Sequence, residues 1–426
     1  WGTGSPMDEA ICPRSSMPLT SVPSEALSWS VLNGLTADEP DRTQGPTNAQ
    51  AVLRLFGQEE SAVRVTLYRD HHAWCPYCQK VWLWLEFKRI PYRIRKVTMR
   101  CYGSKEPWFL RRVPSGMLPA LDLDGRLITE SDEILLQLEA TFGPLGQPMT
   151  TPDVRSHRQL ERLLFRAWCL WLCTPGLSPK DDQRAMEQFR RVAGQFEQAL
   201  RQSPGPFLDP AAPGTADLVF VPYVERMNAS LAYYKGYRLR HEHPAIDAWF
   251  RALEQLATYR GTQSDHHTHA HDLPPQMGGC WSNHSDAART MADQIDRGDG
   301  LAEDEACWDA DHSINAAAIA LGRVLRHRER LMERNPLGRS GFDQPLRCAL
   351  TNLMGQGSPC PDRGSALALR HLRDRISVPR DMPLPAARLL RQALERTAAL
   401  DGQDQPPPLP IRDRFDQDPA PFVAQP

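Results

Sequence analysis

The chain has 426 residues, 41% of them hydrophobic and 24% charged, and this length predicts roughly two to four domains of about 100–200 residues each. Lys and Arg (50) nearly balance Asp and Glu (52), and the formal net charge of -2 gives no basic field of the kind that binds nucleic acid. No apolar run approaches the roughly 18 residues of a membrane-spanning helix. Ten cysteines are too few for a disulfide scaffold of this length. Composition therefore predicts a globular protein with no membrane span and with reduced cysteines.

Residues 1–61 are rich in Ser, Thr and Pro with scattered acidic residues. A segment of this composition has too little apolar surface to bury, so we expect a disordered N-terminal extension. Order is expected to begin near residue 62, where apolar and polar residues start to alternate as in a half-buried strand.

Residues 62–143 predict a small α/β unit. Asp124-Gly125 between two apolar runs is typical of a two-residue hairpin turn. The predicted elements, in chain order, are a strand near 63–67, a helix over 79–89, a strand over 92–99, a hairpin over 118–129 and a helix from Ser131 to Gly143.

From residue 151 the pattern is helical. Thr151-Pro152 and Ser178-Pro179 each place a capping residue before a proline that suits the first helical position. We predict an all-helical domain over 151–262, a His-rich segment and a helical extension over 263–400, and a disordered Pro-rich tail over 401–426.

The strongest chemical signal is Cys75-Pro76-Tyr77-Cys78, which lies between the first predicted strand and helix. The N-terminus of a helix favours thiolate over thiol, and a second cysteine three residues later can resolve a mixed disulfide. The alternative is half of a zinc site, but no second Cys-x-x-Cys is present. The pattern therefore favours redox or thiol chemistry.

Two further sequences accompany the cysteine motif. Met117-Leu118-Pro119 precedes the hairpin, where a cis proline would present the preceding backbone to a thiol ligand; a trans proline at a strand start is the alternative. Glu130-Ser131 opens the next helix, whose free N–H groups could bind a carboxylate, and the alternative is a plain helix cap.

These motifs, followed by an all-helical region, resemble the glutathione transferase superfamily. The motif at Cys75 makes the chain similar to its cysteine-type classes, and it is most like the iota class of photosynthetic organisms. The segments that carry this likeness are Cys75–Glu139, Gly214–Arg240 and Tyr259–Cys280. The resemblance implies an α/β thioredoxin-like N-terminal domain over 62–143, an all-α transferase C-terminal domain over 151–262, and an additional helical extension. One departure is Gly214, which stands where the family usually has a capping Ser or Thr.

The resemblance also implies a glutathione site, with glutathione as the cofactor. Cys75 would be the catalytic cysteine with Cys78 as its partner, and Tyr77 would line the site. Lys105 would meet the glycyl carboxylate. The remaining expected contacts are the Leu118 backbone before Pro119 with the cysteinyl part, and Glu130 and Ser131 with the γ-glutamyl group.

The predicted activity is nucleophilic. A Cys75 thiolate would attack a glutathionylated or oxidised sulfur, and glutathione or Cys78 would resolve the mixed disulfide. The second substrate would be a small electrophile or a glutathionylated molecule. The resemblance implies a chloroplast location; without it a cytoplasmic one is expected. The competing hypothesis is a non-catalytic scaffold that docks a homodimer partner or a larger complex, such as a photosynthetic one, through residues 263–400.

Two other clusters leave alternatives open. His267, His269 and His271 could bind a metal ion or could simply belong to a solvated polar linker, and we assign no metal ligand from the sequence. The tryptophans could floor a ligand pocket beside Cys75 or form core; they are Trp82, Trp84, Trp168 and Trp171.

Overall fold

The computed structural model describes residues 25–301 and 310–401. Its first unit is a five-stranded sheet in the order β1-β3-β2-β4-β5, in which β2 and β3 are parallel and the other neighbouring pairs are antiparallel. Its strands are β1 Leu53–Arg54, β2 Val65–Asp70, β3 Tyr92–Val97, β4 Ala120–Leu123 and β5 Arg126–Thr129. Its helices are α2 Pro76–Lys88, α3 Pro107–Arg112 and α4 Ser131–Phe142.

Local sequence explains the elements that flank the cysteine motif. Pro76 occupies the first turn of α2, where its missing N–H is not needed, and Arg89 ends the helix in the left-handed conformation. Asp124 and Gly125 both have positive φ (54° and 85°), as the predicted two-residue hairpin turn requires. The predicted order of elements in this unit is confirmed.

The all-helical region follows as predicted. Its helices are α5 Pro152–Cys173, α6 Pro179–Gln202, α7 Thr215–Lys235, α8 Leu239–Glu242, α9 Pro244–Glu254, α10 Ala257–Arg260, α11 His266–Met277 and α12 Asp286–Asp296. Gly214 caps α7 in place of a hydroxyl residue, and its N–H donates to the Asp217 carboxylate at 3.1 Å. Helix α7 is buried along its whole length, because the sheet unit and the other helices pack around it.

The extension has a hydrophobic core of its own. Helices α13 Ala310–Arg334, α14 Gly338–Leu353, α15 Ala366–Arg375 and α16 Leu384–Ala399 pack around buried side chains such as Phe342, Leu346 and Leu390. The predicted fold class, an α/β unit followed by helical regions, is thus confirmed. The exact boundaries between the units stay predictions.

The expectation that residues 1–61 are disordered is wrong for residues 25–61. A short helix, α1 Trp29–Asn33, places the buried Leu32 in the core of the extension, and β1 pairs with β3 at the edge of the sheet. Tertiary contacts distant in sequence supply the order: the Trp29 indole donates to Asp343 at 2.8 Å, and the Leu27 N–H donates to Thr351 Oγ1 at 2.9 Å. Residues 1–24 and 402–426 lie outside the described residues.

Among the described helices, none combines the length and apolar character needed to cross a bilayer. The cysteines in the described part of the chain are free thiols.

The Arg54–Glu86 ion pair is the buried link between the N-terminal segment and α2. Arg54 Nε and Nη2 donate to Glu86 at 2.9 and 3.1 Å, and the guanidinium also donates to the Arg42 and Gly45 carbonyls. We expect Arg54→Ala to lower the free energy of unfolding by about 3–5 kcal/mol, because it leaves the Glu86 charge buried without its partner. Urea denaturation of the full chain measures the change.

Arg64→Ala is the matched control, because Arg64 pairs with Asp124 at the surface, with about half of each side chain exposed. Exposed pairs contribute about 0–1 kcal/mol. Equal losses in the two variants would contradict a structural role for the buried pair.

Candidate functional site

The cysteine motif lies where β2 passes into α2. Cys75 is the residue that caps α2, with no side-chain capping bond, and Cys78 lies in its first turn. Both thiols are largely shielded from solvent, with residue exposures of 7% and 1%. The predicted context, a strand before the motif and a helix after it, is present.

A buried carboxylate that the sequence analysis missed lies behind the two thiols. The side-chain ligand atoms of Asp70, Cys75 and Cys78 are all within 4.8 Å of one another. Asp70 is the last residue of β2, and its Oδ2 accepts a hydrogen bond of 2.7 Å from the Trp74 N–H. An acidic residue at the end of a mostly buried strand, just before the motif, was the available signal.

Burial raises the pKa of the Cys78 thiol well above its ordinary value, and a hydrogen bond to Cys75 and the negative charge of Asp70 raise it further. Cys78 is therefore held as a neutral thiol at neutral pH, behind the more accessible Cys75.

A second missed residue, Arg226 of α7, fixes the loop that leads into the motif. Its guanidinium donates to the Trp74 carbonyl at 2.5 Å and to Gln79 Oε1 at 2.9 Å. Arg226 is fully buried, so this pair of bonds joins the helical region to both ends of the Cys75 turn. No local pattern in the sequence marks this contact, since its partners lie about 150 residues away.

The predicted loop before β4 lies at the same end of the sheet as the cysteine motif, because β4 runs antiparallel to β2 and Ala120 pairs with Tyr68. The Leu118–Pro119 peptide bond is cis, which is one of the two alternatives that the sequence left open, with Leu118 half-buried and Pro119 buried. Lys105 is half-buried, and its Nζ donates to the Thr98 carbonyl at 2.8 Å. Burial lowers the pKa of the Lys105 ammonium group.

The start of α4 has an unusual backbone. Glu130 caps the helix at φ 63° and ψ 116°, a region that a non-glycine residue rarely adopts, and its side chain is exposed and makes no capping bond. Ser131 follows as the first helical residue and is buried. The N–H groups of the first turn are thus left uncapped by the Glu130 side chain, as an anion-binding helix start requires.

Tyr77 lies on the exposed side of the motif and faces the helical region. Its ring packs edge-on against the Tyr223 ring, with the ring centroids 5.7 Å apart. The Phe165 ring lies 5.2 Å from Tyr223, and the Arg162 guanidinium lies over the Phe165 and Tyr223 rings.

The suggestion that tryptophans floor a ligand pocket beside Cys75 is wrong, because the side chains of Trp82, Trp84, Trp168 and Trp171 are all buried in the core. Three of them donate indole hydrogen bonds there, to Thr215, Ser230 and Asp182.

Residues of the helical extension also lie close to the loop that precedes Cys75. The Arg380 guanidinium lies 5.5 Å from the Trp74 ring, and Gln50 donates to the Arg380 and Asp381 carbonyls. The Tyr102 hydroxyl, which neighbours Trp74, donates to the Asp272 carbonyl of α11 at 2.7 Å. The loop before Cys75 is therefore packed against the extension and the His-rich segment.

The solvated-linker interpretation of the His-rich segment is wrong. Residues 266–277 form α11, and its histidines are buried. His269 contacts Glu225 at 2.8 Å, whereas His267 and His271 face a different group of side chains.

Comparison with known families supports the two-part organisation. Residues 74–141 match the family model for the N-terminal domain of glutathione S-transferase, and residues 182–252 match the model for its C-terminal domain. The first match covers the cysteine motif, the cis-proline loop and the start of α4.

Curated relatives share about a quarter of their aligned residues with the chain. Glutathione S-transferase DHAR3, chloroplastic, from Arabidopsis thaliana is 24% identical over 191 residues, which are 45% of this chain and 69% of the relative. Glutathione S-transferase L3 from the same plant is 26% identical over 193 residues, 45% of this chain and 79% of the relative. Among solved structures, dehydroascorbate reductase from Chlamydomonas reinhardtii matches at 19% identity and a TM-score of 0.40, covering 50% of this chain and 94% of that one.

The effect of the Asp70 charge on the pKa of Cys78 can be tested by measuring how fast Cys78 is alkylated. We expect Asp70→Asn to speed alkylation of Cys78 at neutral pH by about tenfold or more, because removal of the negative charge lowers the thiol pKa and raises the thiolate fraction. In the parent chain the rate should rise with pH throughout the neutral range. Peptide mass spectrometry after timed iodoacetamide exposure measures both rates.

Asp124→Asn is the matched control, because Asp124 is exposed in the hairpin turn. An unchanged rate at Cys78 in Asp70→Asn would contradict the electrostatic coupling.

Proposed function

Because this chain belongs to the glutathione transferase superfamily, we propose that it is a glutathione-dependent thiol transferase that acts through Cys75. The observation that carries the proposal is the thiol of Cys75 at the start of α2, with Cys78 and Asp70 buried behind it. The names of the relatives, which are glutathione S-transferases, support the choice of glutathione as co-substrate.

We assign the glutathione site to the surface formed by the start of α4, the Leu118 backbone and Lys105. The N-terminus of α4 would hold the γ-glutamyl carboxylate through free N–H groups and the Ser131 hydroxyl, and Glu130 would accept from its ammonium group. The Leu118 backbone, which directly precedes Pro119, would pair with the cysteinyl part. Lys105 would meet the glycyl carboxylate, and Tyr77 would close the other side.

The chemical step proceeds by thiol–disulfide exchange. Cys75 thiolate attacks the glutathione sulfur of a glutathionylated substrate; the S–S bond breaks, and the substrate sulfur leaves as a thiolate that takes a proton from water. A glutathione thiolate then attacks the mixed disulfide on Cys75, which releases glutathione disulfide and restores the Cys75 thiolate. With a glutathionyl adduct of a small electrophile, the Cys75 thiolate would attack the glutathione sulfur and break the C–S bond; the released carbon takes a proton from water, and the same mixed disulfide on Cys75 is then resolved by glutathione.

Glutathione is the favoured resolving thiol. Cys78 is buried, and its raised pKa keeps it protonated, so it competes poorly with a free thiolate from solution. We therefore expect a monothiol cycle in which Cys78 is dispensable for turnover.

The second substrate would lie against Tyr77 and the aromatic group formed by Phe165 and Tyr223. Arg162 lies over two of these rings, and its guanidinium is ion-paired with the Glu161 carboxylate. The aromatic wall favours an aromatic substrate next to the glutathione sulfur. A chloroplast location is part of the proposal, supported by the chloroplastic relative.

The cysteine variants test the mechanism directly. We expect Cys75→Ser to lower kcat/KM with a glutathionylated peptide by at least about a hundredfold, because a serine hydroxyl is a far weaker nucleophile at neutral pH. Cys78→Ser should keep most of the turnover. Steady-state assays with glutathione and the peptide measure both values.

Retained turnover in Cys75→Ser would reject the proposal. A fully inactive parent chain that co-purifies with a larger assembly would favour the scaffold hypothesis. A strong loss in Cys78→Ser would replace the monothiol cycle with a dithiol one.

The glutathione contact at α4 has its own test. We expect Ser131→Ala to raise the KM for glutathione roughly tenfold, because a hydrogen bond to a charged group contributes about 1.5–3 kcal/mol. The value of kcat should change little, since Ser131 does not touch the reacting sulfur. Thr141→Ala, an exposed position near the other end of α4, is the matched control. Equal KM values in the two variants would remove Ser131 from the site.

A further inference from the structure

The histidines that the proposed function leaves unused meet an aspartate from the next helix. His267 and His271 are four residues apart on α11, so both imidazoles point to one side of the helix, and their ring centroids are 4.9 Å apart. Asp296, the last residue of α12, approaches from the neighbouring helix with its Oδ1 2.7 Å from His271 Nε2. One ligand atom from each of the three side chains lies within 4.8 Å of the others.

We propose that His267, His271 and Asp296 form a binding site for a divalent transition-metal ion, with Zn²⁺ the best match. Two imidazole nitrogens and one carboxylate oxygen form a three-ligand set that zinc accepts, and a water molecule would complete the tetrahedron. The ion would replace the proton shared by His271 and Asp296. Zinc at about 2.0–2.1 Å from each ligand separates the ligand atoms by about 3.3 Å, which small side-chain rotations achieve.

The surroundings of the carboxylate suit a bound cation. A negative side chain at the C-terminal end of a helix is electrostatically unfavourable, and a cation at this point would remove that cost. The Tyr233 hydroxyl donates to Asp296 Oδ2 at 2.9 Å, which leaves Oδ1 directed at His271. Such an outer hydrogen bond is typical of ligating carboxylates because it fixes their orientation.

Two of the charged side chains around the site are paired within the protein. Asp374 of α15, which interacts with both His271 and Asp296, is ion-paired with Arg373. Arg388 and Arg391 line the cleft beside His267, and the Arg391 guanidinium is ion-paired with Asp265. The cleft beside His267 is bordered by Gly298 and Gly300 and has a volume of about 10 Å³, which is about the space of one water molecule.

A second group of side chains in the same chain could also bind zinc. Asp70, Cys75 and Cys78 also form a three-ligand group, and thiolates bind zinc well. The test therefore uses the Cys75→Ser/Cys78→Ser variant of the full chain as its parent, without a polyhistidine tag. This choice also makes the result independent of the thiol transferase activity.

The parent is dialysed against micromolar ZnCl₂ and its metal content is measured by mass spectrometry. We expect about one equivalent of zinc, and a loss of at least about tenfold in affinity for His271→Ala and for Asp296→Asn. Tyr233→Phe, which removes only the outer hydrogen bond, should weaken binding by about 10–100-fold. His241→Ala is the matched control, because that histidine is exposed.

Cobalt provides a second readout. The Co²⁺-loaded parent should show the visible bands of a tetrahedral ion without a thiolate charge-transfer band, since the proposed ligands are nitrogen and oxygen. Asp296→Asn is isosteric and partly exposed, so its circular dichroism and melting curve should match those of the metal-free parent. Less than about 0.1 equivalent of zinc in the parent, or equal zinc content in the parent, His271→Ala and Asp296→Asn, would overturn the proposal.

Discussion

The geometry of the cysteine turn depends on one buried guanidinium. A charged group without water must find its hydrogen-bond partners inside the protein, and Arg226 finds them on the Trp74 carbonyl, Gln79 and the Pro222 carbonyl of its own helix. The partners on the sheet unit lie just before and just after Cys75. The position of the nucleophile is therefore set by α7 of the helical region as much as by the strand and helix that carry it.

The two thiols of the site differ in their exposure to solvent and in their electrostatic environment. Cys75 lies at the helix cap and nearer to solvent, whereas Cys78 shares a dry environment with the Asp70 carboxylate, where unpaired charge is costly. A low-dielectric environment amplifies this difference, because the repulsion between a thiolate and a carboxylate is poorly screened there. Sequence alone presents the motif as a symmetric pair; burial makes it asymmetric.

The sequence could predict the features of the fold that depend on residues close together in the chain. The hairpin follows from Asp124-Gly125, the helix starts follow from their prolines, and the order of elements through Phe142 follows from apolar periodicity. It could not predict β1, Asp70 as part of the site, or Arg226, because each depends on partners that are remote in sequence or on a packing environment that no local window contains. The buried state of α11 was missed for the same reason, since a polar composition normally indicates exposure.

The packing of α1 into the extension has a consequence for how the chain is made. Leu32 is buried among side chains of helices that are synthesised about 300 residues later, and the Trp29–Asp343 bond joins the same two regions. During synthesis from the N-terminus, Leu32 therefore remains without its native neighbours until almost the entire chain has left the ribosome. The first helix that the structure describes is thus among the last elements to reach its final environment.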